Sequence, residues 1–251
     1  MKLAVSGKGG VGKTTFSALL IRTLDEMGKH VLAIDADPDA NLAGAIGIAN
    51  ADKITPISEM KELIYERTEA QPGSIGGFFK LNPKVDDLPE TLSAKLNNIK
   101  MMRLGGVKKG GSGCICPEST LLRALITHIV LARNEVVVMD MEAGIEHLGR
   151  ATAKSVDKLI VVVEPGRRSI DTAEHIQYLA AEIGLKQIAV VGNKIRGEQD
   201  IAFLKTHLSQ FEFIGYIPFD NTLIEADLRG ISPFDTDTVA KAHVREMIGK
   251  L

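Results

Sequence analysis

The chain has 251 residues, 45% of them apolar and 25% charged, with a formal net charge of −2 at pH 7. Those figures suit a globular protein with room for one large α/β domain and a full core, and they supply no general attraction to nucleic acid or to an anionic membrane. No apolar run approaches the ~18 residues that a membrane span needs, and a sequence that opens directly on an apolar strand is expected to carry no secretory signal. The cytosol is the expected compartment.

In chain order, Lys2 to Ser6 reads as a short apolar strand and Phe16 to Leu24 as a helix. Between them, Gly7-Lys8-Gly9-Gly10-Val11-Gly12-Lys13-Thr14 is an unbroken match to G-x-x-x-x-G-K-S/T. Glycines let the backbone turn tightly and present successive N–H groups to phosphate oxygens, and the following helix aims its positive end at the same anion. Gly9, Gly10, Val11, Gly12, Lys13, Thr14 and Thr15 are therefore expected to hold a nucleotide's phosphates. Lys13 would reach the β- and γ-phosphates, and the Thr14 hydroxyl would bind Mg²⁺.

A second strand, His30 to Ile34, runs into Asp35-Ala36-Asp37-Pro38-Asp39, where carboxylates at the end of a parallel strand meet a ligand. Asp39 reads as a turn or capping residue. Residues 50–113 are the least regular part. A helix over 58–68, a short strand at Phe78 to Leu81 and another at Ile99 to Leu104 are expected there. The stretch reads as an elaboration of a single domain spanning 1–251, and it leads into Cys114-Ile115-Cys116-Pro117-Glu118 before a helix over 119–131.

Both cysteines of the chain fall in that loop. In an extended segment alternate side chains point the same way, so the sulfurs of Cys114 and Cys116 would both face one partner. A closed Zn²⁺ site or an iron–sulfur cluster usually takes four ligands, and a two-fold dimer would supply four thiolates across its axis. Two buried structural thiols and a local redox pair remain as other readings.

The strand Glu135 to Met139 ends in Asp140, placed where a Walker B aspartate holds magnesium. The segment Gly144 to Gly149 could rearrange when a γ-phosphate leaves, and His147 within it reads either as a relay or as an incidental surface histidine. Strands at 159–163, 187–192 and 213–217, a helix over 169–183 and a core-facing final helix within 238–251 complete the pattern. It is that of an α/β domain with a mostly parallel sheet flanked by helices on both faces.

The sequence KGGVGKTT, with Lys8 after the first glycine, resembles the deviant Walker A ATPases. The resemblance implies that Lys8 reaches across a nucleotide-sandwich homodimer to the partner's phosphates. It also implies that Asp37 orients the attacking water, that Asp35 lies near Thr14 and the magnesium shell, and that Asn193, Pro218 and Asp220 line the adenine pocket. The Cys-x-Cys-Pro-Glu loop together with Asp140-Met141-Glu142-Ala143-Gly144-Ile145-Glu146-His147-Leu148-Gly149-Arg150 resembles more narrowly the CooC-type maturation ATPases of nickel carbon monoxide dehydrogenase.

That resemblance implies an ATPase whose cofactors are ATP/ADP and Mg²⁺. It implies Ni²⁺ or Zn²⁺ bound by Cys114 and Cys116 of two protomers, with apo carbon monoxide dehydrogenase, or the related acetyl-CoA synthase, as client. Nucleic acid and stable membrane insertion are not expected. An electron-transfer ATPase similar to nitrogenase iron protein is the alternative, although the cysteines of each protomer lie on separate segments there. A septum-site or partition-type spatial ATPase is the third reading, which the near-neutral charge and the packed tail disfavour.

Overall fold

The computed structural model describes residues 1–70, 78–105, 116–132, 135–145, 148, 150–153 and 155–251. The strands are β1 (Lys2–Ser6), β2 (Val31–Ala36), β3 (Ala94–Leu96), β4 (Ile99–Arg103), β5 (Val136–Met141), β6 (Lys158–Val163), β7 (Ile188–Ile195) and β8 (Glu212–Pro218). The helices are α1 (Lys13–Glu26), α2 (Leu42–Ile46), α3 (Lys61–Thr68), α4 (Leu88–Thr91), α5 (Pro117–Ala132), α6 (Arg150–Ala153), α7 (Arg167–Ile183), α8 (Glu198–His207), α9 (Asn221–Arg229) and α10 (Ala240–Ile248).

One sheet runs in the order β3-β4-β2-β5-β1-β6-β7-β8, parallel throughout except for the β3–β4 edge pair. Crossover helices cover both faces. For that reason the central strands read as continuous apolar runs rather than alternating ones: every residue of β2 is buried, as are all but the first of β1, β5 and β6. One core layer packs α1, α2 and α10 on the sheet, through Leu20, Leu24, Leu42, Val244 and Met247. The other packs α3, α5, α7 and α8, through Ile64, Leu125, Ile129, Ile176 and Leu204.

Most expected elements are present with ends shifted by a few residues. The expected strand at Phe78 to Leu81 is not formed: Phe78 is fully exposed and Leu81 largely so. In that stretch the Lys80 N–H donates to the Thr68 carbonyl at the end of α3, so it is spent on a loop contact and joins no strand ladder. The helix expected over 58–68 is a 3₁₀ turn at Ile57–Glu59 followed by α3.

The sheet brings three chain segments together at its carboxyl edge. Val5 and Asp35 both sit level with Asp140, on the two sides of β5. The chain leaves β1 there, turns through the glycine loop and enters α1. Open α/β sheets bind ligands at this kind of edge, where neighbouring crossovers run to opposite sides.

Candidate nucleotide site

The glycine loop has the shape its sequence requires. Gly10 and Gly12 have φ of +79° and +92°, a region open to glycine at little cost. A Cβ at Gly7 would overlap the Val162 carbonyl oxygen, and one at Gly12 would overlap the Asn193 amide. Lys13 and Thr14 open α1, and the Lys13 side chain is 7% exposed. Ser6, at the end of β1, has its hydroxyl 2.9 Å and 2.8 Å from the carbonyl oxygens of Glu142 and Gly144. The chain at Glu142 and Gly144, where the segment 144–149 begins, is thereby tied to the base of the loop.

Asp140 is 1% exposed. Its Oδ1 accepts the Ser17 hydroxyl at 3.0 Å, while its Oδ2 is buried without a hydrogen-bond partner. Burial pushes its pKa up to about 6, against the pull of the Thr14 and Ser17 hydroxyls and the Lys13 charge. An unpartnered buried carboxylate oxygen beside a threonine hydroxyl is a donor set that fits a hard divalent cation, so Thr14 and Asp140 have the chemistry to hold Mg²⁺.

Asp35 has a different set of partners. Its Oδ1 accepts the Asp37 N–H at 3.3 Å and its Oδ2 the Leu42 N–H at 2.9 Å. Burial raises its pKa to about 7, opposed by the Leu42 N–H and reinforced by the charge of Asp140. Asp35 therefore holds the backbone from Asp37 to Leu42 from beneath. Asp37 lines the cleft, and its Oδ1 accepts the Asp39 N–H at 3.0 Å, so the Asx turn in this segment is made by Asp37 rather than by Asp39.

Lys8 leaves the loop on the other side. Its Nζ lies 3.4 Å from Glu164 Oε1, and Lys194 Nζ lies 3.0 Å from Glu164 Oε2 and 2.7 Å from the Gly10 carbonyl. Burial works against the Glu164 charge, but Lys194 and Lys8 together hold its pKa below the ordinary value. Lys194 itself has a left-handed backbone, φ +57°, next to a register shift in the β7–β8 pairing. Sequence reasoning gave Glu164 and Lys194 no role. The available signal was a carboxylate at the carboxyl end of β6, the strand beside β1.

The expected adenine residues are placed as follows. Asn193 is buried and its amide donates to the Val11 carbonyl at 2.7 Å, bracing the glycine loop. Asp220 caps α9: Oδ1 accepts the Thr222 N–H at 2.9 Å as well as the Thr222 hydroxyl, and Oδ2 accepts the Thr238 hydroxyl at 2.6 Å. Pro218 closes β8. None of the three lines the main cleft, a space of about 650 Å³ running from Gly9–Thr15 past Asp37 and Asp39 to α9.

Of the expected metal residues, Cys116 stands at the start of α5. Its carbonyl accepts the Thr120 N–H, and its Sγ accepts the Ser119 N–H at 3.4 Å and lies 3.1 Å from Ser119 Oγ. A second space, about 530 Å³, opens beside it between Tyr65 and Glu118. Cys114 and His147 lie outside the described residues. Among the described residues, no group of three or more His, Cys, Asp or Glu is arranged to hold a metal ion, and no helix is long and apolar enough to cross a membrane.

Fold and loop together define a P-loop nucleotide-binding domain. Residues 2–234 match the model of the CobQ/CobB/MinD/ParA nucleotide binding domain. The chain is 47% identical to the carbon monoxide dehydrogenase accessory protein CooC of Rhodospirillum rubrum, over 97% of this chain and 94% of that one. It is 41% identical to an uncharacterized ATP-binding protein of Methanocaldococcus jannaschii, over 98% and 96% of the two chains. Among solved structures, the fold matches the MinC:MinD cell division complex of Aquifex aeolicus with a TM-score of 0.68 at 21% identity, covering 99% of this chain and 93% of that one. It matches a ParA family ATPase of Chlorobium tepidum with a TM-score of 0.69 at 16% identity, covering 98% and 96%. The chain belongs to the CobQ/CobB/MinD/ParA family of nucleotide-binding proteins and, within it, to the CooC type.

Proposed function

We propose that the chain is an ATP-hydrolysing metallochaperone that delivers nickel to the active-site cluster of carbon monoxide dehydrogenase or of the related acetyl-CoA synthase. The observation that carries the reading is the Cys114-Ile115-Cys116-Pro117-Glu118 loop at the head of α5, in a chain 47% identical to a carbon monoxide dehydrogenase accessory protein.

ATP binds with its phosphates on the backbone of Gly9–Thr15 and the charge of Lys13. Thr14 and Asp140 are the groups that would hold Mg²⁺, whose charge, when bound, offsets that of the β- and γ-phosphates. Asp37 orients the water that adds to the γ-phosphorus. The bond to the bridging oxygen breaks, giving ADP and phosphate, with the water's proton passing to the carboxylate or to phosphate.

Lys8 supplies its charge to the partner's nucleotide, so that hydrolysis depends on dimerisation. Positioned positive charge is the main source of catalysis in phosphoryl transfer. To do so Lys8 must first leave Glu164. Closing the dimer brings together two copies of Cys114 and Cys116 as a four-thiolate site for Ni²⁺ or Zn²⁺, and hydrolysis reopens the dimer and releases the metal to the client.

The test is reconstitution of the client. Nickel-free dehydrogenase, the chain, limiting Ni²⁺ and Mg-ATP should together restore carbon monoxide oxidation faster than Ni²⁺ alone. Asp37→Ala and Cys114→Ala/Cys116→Ala should each remove the gain. Equal activation by the cysteine-free protein would sink the nickel-delivery reading.

A further inference from the structure

Helix α5 buries one face in the core, through Leu125 and Ile129, and leaves part of its other face open. Thr120, Arg123, Thr127 and Leu131 recur there at helical spacing. With Leu81 and Pro83, in the stretch between α3 and α4, they line a groove of about 490 Å³. Leu81 and Leu131 are 61% and 54% exposed, so the groove leaves apolar surface in water that burial against another chain would remove. Its floor includes Ala124 and Thr127, small side chains that let a partner come close to the helix.

The charge of the lining is one-sided. Its ionisable residues are Arg123 and His128, and no carboxylate accompanies them. Arg123 is exposed, and its guanidinium has no hydrogen-bond or ion-pair partner among the described residues. A guanidinium stays charged and presents a fork of N–H donors that matches a carboxylate. The complementary surface is therefore apolar and acidic. The place of the groove narrows the partner further. Thr120, at its near end, donates its N–H to the Cys116 carbonyl. The groove thus begins one turn from the cysteine and follows α5 to Leu131, about 16 Å at the rise of an α-helix. An enzyme that takes a metal ion from Cys116 comes against this end of α5.

We propose that the groove along α5 is the docking site for the enzyme that receives the metal, and that it takes an acidic, apolar segment of that enzyme with a carboxylate on Arg123. The proposal rests on the nickel-delivery reading and adds to it where the client binds. Arg123 steers the encounter, and the apolar walls around Leu81 and Leu131 hold the complex once formed.

Binding of the full chain to immobilised nickel-free carbon monoxide dehydrogenase tests it. Arg123→Glu should slow association at least about tenfold at about 0.05 M salt, and the difference should shrink as salt rises toward about 1 M. Leu131→Ser should speed dissociation about fivefold, the scale of one partly buried apolar side chain. Both side chains are exposed, so both variants should fold, hydrolyse ATP and bind metal as the parent does. Parental association and activation rates in Arg123→Glu overturn the proposal and leave nickel delivery standing. A loss that is equal at all salt concentrations marks a structural defect and overturns it as well. So does altered self-association of the variants in sedimentation velocity, which would make the groove an interface between copies of this chain. Absence of association by the parent chain also overturns it, and nickel delivery falls with it if activation is absent too.

Discussion

At the phosphate end of the cleft, the functional groups are held in place by other groups of the same chain. Asn193 braces Val11, Lys194 braces Gly10, Ser17 holds one oxygen of Asp140, and Asp35 holds the backbone N–H groups of Asp37 and Leu42. The corner at Cys116 is organised differently. Its sulfur is positioned by Ser119 within one helix turn, and among the described residues no second or third metal ligand converges on it. A phosphate site gains from being pre-organised before its ligand arrives, and a single protomer carries the glycine loop, Lys13 and Asp140, so that in our account only Lys8 has to come from the partner. A metal site meant to open and close gains from being divided, because each half alone binds weakly and the closed dimer binds tightly. In our account the nucleotide end governs whether the two halves meet.

The sharpest way to break this contrast is Lys13→Ala. It removes the buried ammonium from the loop and should weaken Mg-ATP binding at least about 100-fold, as expected for a charge-assisted contact to phosphate. Isothermal titration reads it, and a loss below tenfold would mean that the loop backbone alone holds the phosphates. Next in size, Cys116→Ala should abolish the dimer's metal stoichiometry while leaving nucleotide affinity unchanged within about twofold, since the cleft and the space beside Cys116 share no lining residue. Coupled loss of both would contradict their separation.

Asp140→Asn should make the metal-free protein more stable while impairing it. The pKa of Asp140 is about 6 in the folded chain against an ordinary 3.8. The folded state therefore holds this proton more tightly than the unfolded one, so stability falls as pH rises from about 4 and the full penalty stands above about 6. Removing the charge should add about 2–3 kcal/mol to the stability of the metal-free protein at pH 8 and almost nothing below pH 4. Urea unfolding at the two pH values checks this, and loss of the Mg²⁺ dependence of nucleotide binding accompanies it. A variant less stable than the parent at pH 8 would show that Asp140 is held by contacts stronger than those described.

The smallest effect belongs to Glu164→Gln. Releasing Lys8 from a partly exposed ion pair is worth at most about 1 kcal/mol, or about a fivefold gain in dimerisation-dependent ATP hydrolysis. An unchanged or lower rate would mean that Glu164 does not restrain Lys8.

What the sequence disclosed follows the same division. The phosphate loop is local: eight consecutive residues and the elements around them define it, and the apolar runs of β1, β2, β5 and β6 are legible because parallel strands are buried on both faces. Short elements such as α2, and elements with little fully buried surface, were missed. In α8 only Leu204 is buried, in α9 only Ala226, with Ile224 and Leu228 turned outward, and β3 has no buried residue at all. Hydrophobic periodicity signals a helix only weakly when so few of its side chains are fully buried. Partners distant in sequence were equally hidden. Asn193 could be singled out, but its hydrogen bond to Val11, 182 residues away, belongs to the three-dimensional fold, as do the Glu164 contacts to Lys8 and Lys194.

The central claim is that nucleotide closes a dimer around a shared thiolate metal site. Metal content and oligomeric state, measured together under anaerobic conditions with ADP and with a non-hydrolysable ATP analogue, test it most directly. The account predicts one Ni²⁺ or Zn²⁺ per dimer, a dimer stabilised by the ATP analogue, and loss of the metal in Cys114→Ala/Cys116→Ala with nucleotide binding intact. About four irons per dimer, as a single cubane cluster carries, or nucleotide-driven dimers without any metal, would contradict it.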